Sequence, residues 1–305
     1  MTSRASPDMR LAVFTKNRTN PAYEAARIGA ERAAAEAGAT VTHYVPQTPD
    51  DPQEQSDLID RALATQPDAF VLSPVHPVRV DAAIQRIAAA DVPIVSFVSP
   101  IVSPVAVVPV VSHVGADDAV LANAMARYLF RHLDGHARVL VVTGPVDSST
   151  AIERVAGFRA AAADFPGIEL AGTIAGDYAR TTARTRTEQW LADHPCPDAC
   201  LVANDFMALG VLEALAQRQY HAIVVGVNAI PEAITAIAQG HMLASADFSA
   251  MQMAFLATQC AIRHLQGQAV PVKVQLPVRI VDRHNWQEWN LPYEARPLLT
   301  LDELT

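Results

Sequence analysis

The sequence predicts an α/β protein made of two doubly wound parallel-sheet lobes joined by a multi-strand hinge. Short apolar runs alternate with longer Ala- and Glu-rich segments. One series of such alternations precedes Gly115, and a second series follows it. This alternation is typical of parallel sheets that are covered by helices on both faces. The chain has 305 residues, which is long enough for two domains of ordinary size.

In the first half, short apolar runs predict strands and the segments between them predict helices. The strands are Arg10–Thr15, Thr40–Val45, Asp68–Leu72, Val92–Phe97 and Val107–Ser112, and the helices are Ala22–Ala37, Pro52–Thr65 and Val78–Ala90. Gly38 is expected to end the first helix, because glycine readily adopts the left-handed conformation found at helix ends.

The second half repeats this plan. The strands are Ala137–Thr143, Ile168–Ile174, Ala199–Ala203, Ile223–Val227, Met242–Ala246 and Val278–Val281. The helices begin at Ala119 and after Gly210, and cover Ala151–Phe165, Ala183–Ala192, Pro231–Gln239 and Leu256–Leu265. We expect lobe crossings near Gly115, Asp247 and Gln275, which gives lobes of 1–115 plus 248–275 and 116–247 plus 276–305. Facing strand-to-helix loops across a cleft would create a small-molecule site that a hinge can close.

Charge and hydropathy exclude several classes of protein. The net charge is −9 and no block of Lys or Arg is present, which argues against a nucleic-acid partner. No apolar run reaches the about 18 residues of a membrane span, because prolines break the segment from Ile94 to Val111. No secretion signal is recognisable in the chain, so a periplasmic and a cytoplasmic location both stay open.

Enzyme and metal motifs are weak. Gly144–Ser149 follows a strand but lacks the glycine spacing and the Gly-Lys-Ser/Thr of phosphate loops, and no nucleophile elbow is present. His132 and His136 are separated by the helix-ending Gly135, which argues against a metal-binding pair. Cys196 and Cys200 allow a local disulfide, but a pair of small buried residues is favoured. We expect no catalysis, cofactor or metal.

The segment from Asn204 to Gly210, Asn-Asp-Phe-Met-Ala-Leu-Gly, is the most informative of the chain. It follows a buried strand and precedes a helix, and Asn and Asp are favoured there because their side-chain oxygens accept free amide protons of the first turn. In open α/β sheets, ligands bind at such turns, outside the carboxyl ends of the strands. A simple helix cap is the alternative interpretation.

Several motifs in order resemble the type I periplasmic sugar-binding proteins of ABC importers, especially the group similar to ribose-binding protein. They are Asn20-Pro21-Ala22-Tyr23, Ser112–Asp117, Ala151–Phe158, Asn204–Gly210 and Val225-Gly226-Val227-Asn228. The resemblance covers Leu11 to Val281 and implies a ligand site between two lobes. LacI-type repressor cores share the fold but carry an N-terminal DNA-binding segment that has no counterpart before Leu11.

The resemblance also implies site residues for a sugar-like ligand, and they are Phe14, Lys16, Asn20, Tyr23, Arg154, Tyr178, Asn204, Asn228 and Asp247. Asn, Asp and Arg suit paired hydrogen bonds to hydroxyl groups, and aromatic rings suit the apolar face of a sugar. Alternatives stay open: the two tyrosines as surface aromatics, Arg154 as a surface ion pair with Glu153 or another neighbour, and Asn228 as a turn residue.

One departure from the resemblance affects the expected ligand. Ribose-type binders carry Asp-Arg at the end of the fourth strand, where this chain has Val98-Ser99. Asn228 also replaces an Asp, and Lys16 adds a positive charge. The hypothesis that follows is a polyol, a modified sugar or a sugar acid instead of a plain pentose.

The predicted function is a monomeric solute-binding protein that delivers its ligand to the permease of an ABC importer. The alternative is a cytoplasmic or signalling ligand sensor with the same fold. The segment from Asp282 to Thr305 runs past the end of the resemblance and contains Trp286, Trp289 and Tyr293. We expect it to pack as a strap over the second lobe or the hinge.

Overall fold

The computed structural model describes residues 9–101 and 108–304. These residues divide into two compact units. Unit 1 contains the described residues of Met1–Gly115, Ala250–Leu276 and Pro297–Thr305, and unit 2 contains Ala116–Ser249 and Pro277–Arg296. Each unit is an α/β domain, so the predicted fold class is confirmed.

The described strands and helices alternate along most of the chain. The strands are β1 (Arg10–Phe14), β2 (Thr40–Tyr44), β3 (Ala69–Leu72), β4 (Ile94–Phe97), β5 (Val110–Gly115), β6 (His136–Thr143), β7 (Gly167–Ala175), β8 (Ala199–Val202), β9 (Ile223–Val227), β10 (Ala244–Asp247), β11 (Lys273–Gln275) and β12 (Arg279–Asp282). The helices are α1 (Pro21–Ala37), α2 (Pro52–Ala64), α3 (Asp81–Ala89), α4 (Asp118–His132), α5 (Ser149–Ala163), α6 (Arg180–Asp193), α7 (Asp205–Gln217), α8 (Pro231–Ala238), α9 (Ala250–Leu265) and α10 (Leu301–Leu304). No described helix has the length and apolar character needed to cross a membrane.

Unit 1 is built on a six-stranded parallel sheet in the order β11-β5-β4-β3-β1-β2. Its core includes the fully buried rings of Phe14 and Phe70, which stack at 5.6 Å. Helices α1 and α9 approach closely at Gly29, where an added Cβ would lie 2.2 Å from the carbonyl oxygen of Met251. This contact requires a residue without a side chain.

Unit 2 repeats the arrangement with a six-stranded sheet in the order β12-β10-β9-β8-β6-β7. All of its pairs are parallel except β10 and β12, which are antiparallel. Close helix contacts again depend on glycines. A Cβ on Gly157 would lie 2.3 Å from the Ala119 oxygen, and one on Gly210 would lie 2.1 Å from the Arg180 oxygen.

The structure corrects several predicted boundaries. Helix α7 begins at Asp205 because Asn204 caps it, so Gly210 lies inside the helix and not before it. Strand β5 runs to Gly115, three residues beyond the predicted end, and Val107 of that prediction lies outside the described residues. The short elements β11 and α10 were not predicted, because a few residues carry too little periodic pattern to identify an element.

The C-terminal segment divides between the two units. Pro277–Arg296 belongs to unit 2, whereas Pro297–Thr305 belongs to unit 1. The described residues of this last stretch attach to α9: the Gln252 amide nitrogen donates to the Leu299 oxygen at 2.6 Å, and Arg263 pairs with Asp302 at 2.7 Å. The chain therefore passes between the units once more than predicted, after Arg296.

Replacing Gly210 with alanine is expected to destabilise the protein. The new methyl group would meet the Arg180 carbonyl, and a backbone atom cannot rotate away. Overpacking costs about 1–3 kcal/mol, and a backbone contact at 2.1 Å belongs in the upper part of that range, about 2–3 kcal/mol, against about 1 kcal/mol that alanine gains in helix propensity. Urea unfolding should give a free energy of unfolding about 1–2 kcal/mol lower than that of wild type. The control Gln217→Ala changes an exposed residue of the same helix and should stay within about 0.5 kcal/mol of wild type. Equal stability of Gly210→Ala and wild type would contradict the close contact of α6 and α7.

Candidate functional site

The predicted site residues of unit 2 lie at one edge of its sheet. Asn204 lies two residues after β8, Asn228 directly follows β9, Asp247 ends β10, and Tyr178 lies three residues after β7. These four strands are parallel, so their carboxyl ends meet at the same edge, which is where open α/β sheets bind ligands. Arg154 reaches this edge from α5, where it contacts the carbonyl oxygen of Ala203.

A buried carboxylate ties three of these strand ends together. The hydroxyl oxygen of Ser245 lies 2.7 and 2.8 Å from the two carboxylate oxygens of Asp205, to which it donates. The Ile230 amide donates to the same carboxylate at 3.1 Å, and the Ala229 amide donates to the Ser245 hydroxyl at 3.0 Å. Asp205 thereby connects the start of α7 with the turn after β9 and with β10. The carboxylate packs on Gly226, where an added Cβ would lie 2.2 Å from its Oδ1.

The two capping asparagines present their side chains in the same way. The Oδ1 of Asn204 accepts from the Met207 amide at 2.8 Å, and the Oδ1 of Asn20 accepts from the Ala22 amide at 3.0 Å. Both side chains are buried, and within the described residues neither Nδ2 has a hydrogen-bond partner. The cap fixes each side chain through its oxygen and leaves its two N–H donors for another group.

Arg154 forms a buried ion pair, which excludes the surface pair considered from the sequence. Its Nε donates to Asp118 Oδ1 at 2.7 Å, and the two side chains are only 3% and 4% exposed. Its guanidinium carbon also lies 4.7 Å from the ring centre of Phe248. These contacts fix the orientation of the cation at the end of β8, with Asp118 as its partner in the buried ion pair.

Tyr178 and Asn228 adopt left-handed backbone conformations. Their φ angles are 56° and 121°, and Ala229 follows with 50°. The Tyr178 ring packs on Gly144, where an added Cβ would lie 2.3 Å from the ring. Residues held in sparsely populated backbone regions cost free energy and cluster at ligand sites, so this turn geometry is a feature of the candidate site. The side chain of Asn228 is half-buried.

Asp247 is held at the end of β10 by two donors. Its Oδ1 accepts from the Ser249 amide at 2.8 Å, and its Oδ2 accepts from the indole nitrogen of Trp289 at 3.1 Å. Burial raises the pKa of this carboxyl, while the Trp289 and Ser249 donors and the charges of Arg296 and Arg279 oppose that rise. Trp289 and Arg296 are site-supporting residues that sequence reasoning missed.

In unit 1, Lys16 and Asn20 lie after β1, whereas Phe14 is the last residue of that strand. The Lys16 ammonium donates to the Ser99 hydroxyl at 2.8 Å, and both side chains are buried. The Phe14 ring is 0% exposed and stacks on Tyr44 at 4.9 Å, so it packs in the core of unit 1, and its ligand contact stays a prediction. An apolar residue at a strand end packs into the core when its side chain points to the covered face of the sheet.

Tyr23 and the carboxyl of Asp50 complete the description of the unit 1 edge. Tyr23 is half-buried in the first turn of α1. Burial raises the pKa of Asp50, while the Lys16 charge and a hydrogen bond from Asn17 oppose that rise. The Lys16 cation is therefore close enough to Asp50 to stabilise its ionised form.

Other features of the molecule lie away from these strand ends. A groove of about 1110 Å³ in unit 2 is lined by α7, α8 and the loops that enter β9 and β10, among them Tyr220 and His241. These loops are at the amino ends of the strands, which is the opposite edge of the sheet. Over residues 9–101 and 108–304, no group of three or more His, Cys, Asp or Glu side chains is arranged to hold a metal ion.

Replacing Asp205 with asparagine is expected to change the pH dependence of stability. Burial raises the pKa of Asp205 from 3.8 to about 7 in the folded protein, although its hydrogen bonds oppose the rise. The folded protein then binds the proton more tightly than the unfolded chain, so this group makes the protein less stable as pH rises from about 4 to about 7. Relative to Asp205→Asn, the free energy of unfolding of wild type should fall by up to about 4 kcal/mol across this range. If the free energy of unfolding of the two proteins changed in parallel between about pH 4 and about pH 7, this result would contradict the raised pKa of Asp205.

The comparisons with known proteins agree with this arrangement. The family model described as the periplasmic binding protein domain matches residues 11–269. The ribose import binding protein of Haemophilus influenzae is 23% identical over 281 residues, which cover 92% of this chain and 94% of that protein.

Two solved structures are similar over nearly the whole chain. The Caulobacter myo-inositol binding protein, bound to myo-inositol, has a TM-score of 0.85 at 26% identity and covers 94% of this chain and 97% of its own. An ABC transporter periplasmic solute binding protein from Actinobacillus succinogenes, with bound D-allose, has a TM-score of 0.86 at 22% identity and covers 92% of this chain and 99% of its own. The chain therefore belongs to the periplasmic binding protein domain family, whose model matches most of its length.

Proposed function

We propose that this protein captures one polyhydroxylated small molecule, a polyol, sugar or sugar acid, and delivers it to an ABC importer. The observation that carries the proposal is the row of polar side chains at the carboxyl ends of β8, β9 and β10. Asn204 offers N–H donors, Asn228 offers an amide, and Asp247 offers carboxylate oxygens. Hydroxyl groups both donate and accept, so a mixed set of donors and acceptors matches a polyol.

The named relatives support the same class of ligand. Ribose, D-allose and myo-inositol, which appear in the names of the similar proteins, are all small molecules that carry several hydroxyl groups. The family consists of binding proteins, and by the same reasoning this chain binds its ligand without altering it covalently. A periplasmic location and an ABC permease partner follow as parts of the proposal. Closure of two lobes on the ligand stays a prediction from the sequence.

Thermal unfolding with a panel of polyols, sugars and sugar acids tests the ligand class. A ligand present at a hundred times its dissociation constant adds about 2.7 kcal/mol to the stability, which raises the unfolding midpoint by a few degrees. We expect at least one compound of the panel to give such a shift. A panel without any shift would contradict a polyhydroxylated ligand.

A change at Asn204 tests whether its amide contacts the ligand. Asn204→Ser keeps an oxygen that caps α7, because serine and asparagine are comparable caps, but removes both N–H donors. The affinity for the panel ligand should fall about tenfold to a hundredfold by calorimetric titration, while the midpoint without ligand changes little. Asp117→Ser makes a similar cap exchange on α4 and should leave the affinity unchanged. Wild-type affinity in Asn204→Ser would show that the Asn204 amide does not contact the ligand.

Within this ligand class, Lys16 favours a compound with an anionic group. Its ammonium is buried and lies beside Ser99. Val98-Ser99 is the dipeptide that stands where ribose-type binders carry Asp-Arg. The carboxylate of a sugar acid would form a charge-assisted hydrogen bond with this ammonium, which a neutral polyol of the same length cannot form. The nearby Asp50 acts in the opposite direction, because its ionised form already compensates part of the Lys16 charge.

Replacing Lys16 with methionine separates acids from neutral polyols. The affinity for a sugar acid should fall about tenfold more than the affinity for the neutral polyol of the same chain length, as measured by competition titration. Arg18→Met removes an exposed positive charge after β1 and serves as the control for general electrostatics. Equal losses for the acid and the polyol would show that Lys16 does not select for negative charge.

A further inference from the structure

The chain continues beyond β12 into a segment, Arg283–Arg296, that we name the C-terminal strap. It belongs to unit 2 and contains two short 3-10 turns, Trp286–Glu288 and Tyr293–Ala295. The family model ends at residue 269, so the family resemblance assigns no role to the strap. One of its side chains contacts Asp247, which the proposed function places at the ligand, and another contacts Ala229, the residue after Asn228.

Trp289 contacts Asp247 directly. The indole nitrogen donates to Asp247 Oδ2 at 3.1 Å, and the Trp289 side chain is buried. The guanidinium of Arg279 covers the indole ring at 4.4 Å and pairs with Glu288 at 2.8 Å. The ring therefore lies between a cation and the core, and its donor points at the carboxylate that ends β10.

Arg296 contacts the turn that follows Asn228. Its Nη1 donates to the Ala229 oxygen at 3.2 Å, and its Nε donates to the Leu291 oxygen at 3.1 Å. The guanidinium also lies 4.6 Å from the ring centre of Tyr293. The left-handed conformation of Ala229 is thus supported by the strap on one side and by the Ser245 hydroxyl on the other.

We propose that the C-terminal strap is part of the ligand-binding apparatus, with Trp289 as a positioning residue that orients the Asp247 carboxylate toward the ligand. The inference rests on the proposed function, because it takes Asp247 as a ligand contact. It goes beyond that function in making ligand affinity depend on a segment outside the matched family region. Arg296 acts in the same way on the turn that carries Asn228.

The charges around Asp247 allow positioning to be separated from packing. Arg279 and Arg296 favour the ionised carboxylate, and Glu288 compensates the charge of Arg279. Burial is the largest influence and raises the pKa of Asp247, while the Trp289 donor lowers it. Loss of the indole donor therefore raises this pKa further, whereas a general loosening of the strap has no specific effect on it.

The test compares Trp289→Phe with Trp286→Phe. The first change removes the donor to Asp247 and keeps an aromatic ring beneath Arg279. The second removes an indole of the strap that forms no hydrogen bond with the site residues in the described part of the chain. Calorimetric titrations with the panel ligand over pH 4–8 should give an affinity about tenfold lower for Trp289→Phe, which corresponds to one lost charge-assisted hydrogen bond. The pH below which the affinity falls should also move upward, and Trp286→Phe should match wild type in both respects.

Two outcomes would overturn the inference. One is wild-type affinity in Trp289→Phe, and the other is a lower affinity with an unchanged pH profile, which indicates packing alone. Failure of the proposed function is recognised separately, because wild type itself then binds no compound of the panel. In that case the tryptophan emission of the ligand-free protein is followed with pH: a transition present in wild type and in Trp286→Phe but lost in Asp247→Asn supports the coupling of Trp289 to Asp247, and its absence in wild type contradicts it.

Discussion

The buried carboxylate of Asp205 is the interaction on which the candidate site of unit 2 depends. It accepts hydrogen bonds from Ser245 and Ile230, so one side chain fixes the start of α7, the turn after β9 and strand β10. The polar residues Asn204, Asn228 and Asp247 lie on those three segments. An isolated carboxylate in the interior is strongly unfavourable, and its hydrogen bonds together with the nearby Arg154 charge offset part of this cost. The site is therefore held in place before any ligand arrives, which lowers the ordering cost of binding.

The same edge combines further unfavourable features that only a rigid surrounding structure tolerates. Arg154 and Asp118 form an ion pair at very low exposure, and Tyr178 has a left-handed backbone. Removing one partner of such a buried ion pair costs about 3–5 kcal/mol of folding stability, because the other charge is then left without compensation. Arg154 and Asp118 are therefore needed together. Glycines make the close approaches: Gly226 beneath Asp205 and Gly144 beneath Tyr178. The polar groups that are costly to bury therefore lie at the carboxyl edge of the unit 2 sheet, where we propose that a polyhydroxylated ligand binds.

The sequence predicted the alternation of strands and helices and the role of Asn204 as a cap, because periodicity and capping are local properties of the chain. It did not predict that Phe14 packs into the core, since an apolar residue at a strand end leaves the direction of its side chain open. It also missed Trp289 and Arg296, whose partners Asp247 and Ala229 are 42 and 67 residues away. Such contacts depend on tertiary structure. Asp205 was visible within the motif, but its function became clear only with Ser245 and Ile230 around it.

A crystal structure of the protein with a bound polyol or sugar acid would test the central claim most directly, because the claim concerns which atoms contact the ligand. The account predicts ligand hydroxyl groups within hydrogen-bond distance of the Asn204 amide nitrogen and the Asp247 carboxylate, with the Asp205 network unchanged. A ligand bound only in the groove lined by Tyr220 and His241, at the opposite edge of the sheet, would contradict it.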